Sequence, residues 1–76
     1  LRERGIGFDD GARIFAGSVV VWRDDRRDYG EVRFRAVGVT QDVAIHVAYT
    51  IRGDALRIIS VRRANPKEFA AWRLQE

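Results

Sequence analysis

The sequence predicts an α+β domain, a four-stranded antiparallel sheet with one helix before it and one after it. Three observations carry that prediction. Short β-branched or alternating stretches at 18–22, 31–39, 43–51 and 55–63 read as strands. Gly53-Asp54 joins the last two at the spacing of a two-residue hairpin turn. Beyond them, Asn65-Pro66 followed by Glu68 is a helix start, with an N-cap, proline at the first helical position and the acid of a capping box.

Seventy-six residues make one domain, 1–76. A chain of this size buries about 60% of its unfolded surface, so the core is thin. There is no cysteine, which excludes disulfides and suits a reducing, cytoplasmic setting. No apolar run approaches the roughly 18 residues of a membrane span, so no membrane partner is expected. The chain starts at Leu1 in "LRERG", which reads as the end of a helix closed by Gly5. That reading predicts further sequence before residue 1.

Taken in order, "GFDDGARIFAG" predicts a short helix capped by Asp9 or Asp10. Phe8, Ala12 and Phe15 share a face, and Gly17 suits the exit. "SVVVW" at 18–22 is the first strand, and "RDDRRDYG" at 23–30 reads as a solvated loop. In the next strand Val32, Phe34 and Ala36 alternate with Arg33, Arg35 and Val37.

Counting inward from the hairpin turn pairs Arg52 with Ala55, Thr50 with Arg57 and His46 with Val61. Ile45, Val47, Tyr49, Ile51, Leu56 and Ile58 then share the core face, with Ser60 and Arg62 at its far end. His46, Ala48, Thr50, Arg57, Ile59 and Arg63 share the other face. In the last helix Phe69 and Trp72 lie on one side, the apolar face by which it docks.

Charge is distributed unevenly. Residues 1–54 hold nine arginines and nine acids, whereas 55–76 hold five cations and two acids, so the net +3 sits at the C-terminal end. Thirteen of the fourteen cations are arginine, whose planar fork grips phosphate or carboxylate through two hydrogen bonds. The pattern points to nucleic acid or an acidic protein partner.

The blocks "LRERGIGFDDGARIF", "DDRRDYGEVRF" and "YTIRGDALRIISVRRANPKE" resemble the BrnT-type toxins of bacterial type II toxin–antitoxin pairs. "DYGEVRF" and "RIISVRRA" are the specific parts of the match. The resemblance implies a compact RelE-like fold with a basic sheet face and helices on the other side. It implies an endoribonuclease that arrests translation, and a BrnA-type antitoxin partner that supplies any DNA binding. Glu3-Arg4 stands where the family has Lys-His, and Trp72 where tyrosine is common. An indole stacks on a base but does not exchange a proton as a phenol does.

Metal-free RNA cleavage needs a base for the 2′-OH, cations for the phosphate and an acid for the leaving oxygen. Arg57 and Arg63, six apart, project from the His46 face as phosphate clamps. Arg62, five from Arg57, faces away unless a bulge or the strand end re-aims it. His46, the sole histidine, and Glu31 are the proton-transfer candidates. Arg33, Arg35 and Trp72 complete the substrate-binding set. Asp24, Asp25 and Asp28 alternate with arginines, so no metal site and no cofactor is expected. The alternative is a non-catalytic module whose basic face engages an acidic antitoxin segment or RNA.

Overall fold

The structure, a computed structural model, describes residues 5–75. Helix α1 (Phe8–Arg13) runs into a 3-10 turn (Ile14–Ala16). Strands β1 (Val20–Arg23), β2 (Arg33–Thr40), β3 (Val43–Arg52) and β4 (Ala55–Arg63) follow, then helix α2 (Pro66–Leu74). The strands pair antiparallel in chain order, β1-β2-β3-β4. The predicted α+β architecture is therefore present. The expected helix end at "LRER" lies outside the described residues, although Gly5 has the left-handed φ of +76° that such an end requires.

Two tight turns set the register. Gly53, at φ +60°, turns β3 into β4, and the predicted pairs Thr50–Arg57 and Arg52–Ala55 form. Gln41 and Asp42, at φ 51° and 65°, turn β2 into β3, the two positive values that a type I′ hairpin needs. Between Ala48 and Tyr49 the β3–β4 register shifts, because Tyr49 faces Ile58 while Ala48 faces Ser60. Ile59 is the extra residue of a β-bulge. Beyond it His46 faces Arg62, not Val61, and Ile45 faces Arg63.

The core lies on the face carrying Ala36, Ile45, Val47, Tyr49 and Val61, closed by Ile6 and Ile14. The Tyr49 ring meets Phe15 edge-on at 5.2 Å and stacks on Phe34 at 5.5 Å. Of the predicted face of the first helix, Phe15 packs on the core, but the rest of the contact is made by another side of α1. Phe8 and Ala12 are exposed, while Gly11 and Ile14 are buried. Gly11 lets the helix approach so closely that a Cβ there would stand 2.7 Å from Val61 Cγ2. A Cβ on Gly38 would stand 2.8 Å from Ile14 Cβ. Small residues form this contact, and a pattern of large apolar residues does not register them. The cap also differs. Gly7 occupies the N-cap position, and Asp10, one turn in, accepts from its amide at 3.0 Å.

Helix α2 starts where predicted. Asn65 Oδ1 accepts from Glu68 N at 2.8 Å, and Glu68 Oε1 accepts from Asn65 N at 2.9 Å. The helix lies on the opposite side of the sheet from α1, so helices occupy both faces rather than one. None of its described residues is fully buried.

Candidate functional site

The second sheet face is built by residue parity and by the bulge. Cross-strand pairing sets Arg33, Thr50 and Arg57 in one row, and Trp22, Arg35, Ala48 and Ser60 in the next. Val20, Val37, His46 and Arg62 form the third. Rows on alternate residues lie about 7 Å apart and strands about 5 Å apart. Four arginines therefore share an area a few residues across. Helix α2 covers the third row, and the first is open.

In the open row Arg33 is held on two sides. Its Nε donates to Glu31 Oε2 at 3.0 Å, and its guanidinium lies 4.2 Å from the centroid of the Tyr29 ring. Glu31 also receives Arg52 at 3.4 Å. The Arg33 hydrogen bond, with help from Arg52, holds the Glu31 carboxyl below its usual pKa, so it is ionised at neutral pH. Arg27, Tyr29, Glu31 and Arg33 line a cavity of about 330 Å³. Arg57 is exposed across the sheet from Arg33.

The loop that carries Tyr29 is not simply solvated, as its charge pattern suggests. Asp24 is 5% exposed. Its carboxylate takes two hydrogen bonds from the Arg26 side chain, at 2.7 and 2.8 Å, and one from Tyr29 Oη at 3.1 Å. Those bonds, Arg26 first, hold its pKa well below the usual carboxylate range. The loop folds around a buried charge because charge-assisted hydrogen bonds offset the desolvation. It thereby fixes the tyrosine on which Arg33 rests. Asp25 and Asp28 lie in the same loop, and among the described residues no three acids, histidines or cysteines gather as a metal site.

The covered row centres on Glu68, which the sequence offers only as a capping acid. Arg62 donates to both its oxygens, at 2.9 and 2.8 Å, while Arg35 and His46 stand 3.9 Å from Oε2. The Arg62 pair is the first cause of a Glu68 pKa lowered to about 2. His46 is 2% exposed, and neither ring nitrogen has a hydrogen bond among the described residues. Burial pushes its pKa down to about 4, so it is neutral at pH 7.

The bulge corrects the predicted clamp. Arg57 and Arg62 share the His46 face, and Arg63, opposite Ile45, lies on the core side. Trp72 pins α2, its Nε1 donating to Ser18 O at 2.9 Å and its ring stacked on Phe69 at 6.0 Å. Sequence reading passed over Trp22, Tyr29 and Glu68. An isolated aromatic in a short edge strand or an arginine-rich loop was the available signal for the first two.

A family model described as "Ribonuclease toxin, BrnT, of type II toxin-antitoxin system" matches residues 1–68. No curated protein and no solved structure matches.

Proposed function

The chain belongs to the BrnT family of ribonuclease toxins of type II toxin–antitoxin systems, and on that premise we propose that it cuts RNA without a metal ion and arrests translation. The observation that carries the reading is the open row, where an ionised Glu31 stands beside Arg33 with Arg57 across the sheet. A phosphate seated between the two arginines gains charge-assisted hydrogen bonds that strengthen as the transition state develops. Glu31 takes the 2′-OH proton, the 2′ oxygen attacks phosphorus, and the bond to the 5′ oxygen breaks. Water protonates that oxygen, leaving a 2′,3′-cyclic phosphate and a 5′-OH end. Arg35 extends the track. Arg62 and His46 lie beneath α2, and they support the site from there.

A BrnA-type antitoxin is the proposed partner. The Glu68–Arg62 pair favours a second reading beside the first, in which antitoxin carboxylates occupy the cations of this face as Glu68 does within the chain. The test is cleavage of RNA in EDTA by the wild type and by folded Arg33→Ala, Arg57→Ala, Glu31→Gln and Arg63→Ala variants. The first three should lose more than about tenfold in kcat/KM, which is 1.4 kcal/mol of transition-state stabilisation. Arg63→Ala should stay within about threefold. Silence of the wild type in EDTA with recovery on adding magnesium would remove the metal-free mechanism. Equal activity in all four variants would remove the site.

A further inference from the structure

Between the edge strand and the first turns of α2 lies a cleft of about 440 Å³ that the cleavage step does not use. Trp22, Arg35, Asn65, Lys67, Glu68 and Ala71 line it. Its size falls within the roughly 300–1,000 Å³ of small-molecule sites. One wall is flat and π-rich, since Arg35 sets its guanidinium 5.2 Å from the centroid of the Trp22 ring. The Arg35 Nε is buried and makes no hydrogen bond among the described residues. Lys67 brings a second cation from α2, and the Glu68 carboxylate, which takes both Arg62 hydrogen bonds, also stands 3.9 Å from Arg35 Nη1.

The cleft joins an indole and a guanidinium plane to a lysine, beside Asn65, Glu68 and Ala71. That is the composition with which proteins hold single-stranded nucleic acid, bases stacking on flat groups while cations follow the backbone. Arg35 and Arg33 are two residues apart on one face of β2, so the cleft continues the open row at about 7 Å. A strand of RNA seated on Arg33 and Arg57 runs naturally into it.

We propose that this cleft is a nucleoside subsite, in which a base flanking the cut stacks on Trp22 and Arg35 while Lys67 and Arg35 hold its phosphate. Its role in cleavage rests on the ribonuclease reading, but its ability to bind a nucleotide does not. The probes are AMP, GMP, CMP and UMP, titrated separately into the full chain beside inorganic phosphate. The readout is the indole N–H signal of Trp22 in proton–nitrogen spectra, told apart from that of Trp72 by a Trp22→Phe variant. Nucleotides should move the Trp22 signal more than phosphate does, and Lys67→Ala, a surface change, should weaken the response severalfold.

In RNA cleavage, Trp22→Ala should raise KM by between about 5- and 150-fold, the range of base stacking on an aromatic ring, with kcat little changed. Trp22→Phe should recover most of the loss. A Trp22 signal that ignores all four nucleotides overturns the subsite, as does an unchanged KM in a folded Trp22→Ala protein that cuts RNA. A Trp22 response in a chain that cuts no RNA supports the subsite and removes the ribonuclease reading instead.

Discussion

Replacing Glu68 by glutamine tests how the last helix is held. The substitution keeps the shape and leaves an oxygen for the Asn65 amide, but it removes the charge that Arg62 grips at 2.9 and 2.8 Å. Breaking a buried ion pair from one side costs about 3–5 kcal/mol. Here Arg62 keeps 37% of its side chain in water, which screens the pair, so about 2 kcal/mol is expected. The Glu68 pKa, lowered from 4.5 to about 2, corresponds to about 3 kcal/mol before that screening, in the same range. For a domain of 60–100 residues each kcal/mol moves Tm by about 4–8 °C. The Glu68→Gln protein should therefore melt about 8–16 °C below the wild type at pH 7. Because folding depresses this pKa, the stabilisation is complete above about pH 4.5 and disappears as pH falls toward 2, so the two melting curves converge in acid. Calorimetry or circular dichroism at pH 7 and pH 3 measures both effects. A Tm within about 4 °C of wild type at pH 7 would refute the claim that this pair anchors α2.

Four further outcomes are expected. His46 is neutral in the fold with a pKa of about 4 against the usual 6.5, so its contribution is full above pH 6.5 and is lost as pH falls toward 4. Urea unfolding should show up to about 2 kcal/mol less stability at pH 5 than at pH 7.5, a decline that His46→Gln removes. Gly11→Ala should destabilise the protein by about 1 kcal/mol, because overpacking against Val61 and Val47 costs about 1–3 and helix propensity returns about 1. Gly17→Ala, which meets nothing within 4 Å, should change unfolding by less than about 0.5 kcal/mol. Asp24→Asn should lower Tm by about 5–10 °C, since a largely buried carboxylate that accepts from Arg26 and Tyr29 loses its charge-assisted bonds.

The hairpin and the last helix were legible because local chemistry determines them. Gly53 supplies the positive φ of its turn, and Asn65, Pro66 and Glu68 occupy the positions a helix start requires. A bulge was foreseen only as a condition for re-aiming Arg62, and its presence was not legible, because one inserted residue leaves no periodic mark. Missing it exchanged the sides of Arg62 and Arg63, while Arg57, between the turn and the bulge, was placed correctly. The α1 contact failed for a related reason, since glycine makes it by lacking a side chain. Glu68 was hidden by having two functions. Its capping role accounted for it fully in the sequence, and its hold on Arg62 depends on how α2 folds back over the sheet.

The sheet's threading also bears on synthesis. Each strand pairs with the one translated just before it, so the sheet can be laid down in the order of translation. When residues up to Asp54 have emerged, three strands can pair and Arg33, Arg35 and Glu31 are in place, but the face still lacks Arg57 and Arg62. The cleft wall that holds Lys67 arrives later again, with α2. A partly made chain therefore carries part of this basic face, and residues 55–76, where the net positive charge sits, complete it. The basic face is thus incomplete until residues 55–68 have been made, and an antitoxin that meets the chain before then meets only part of it.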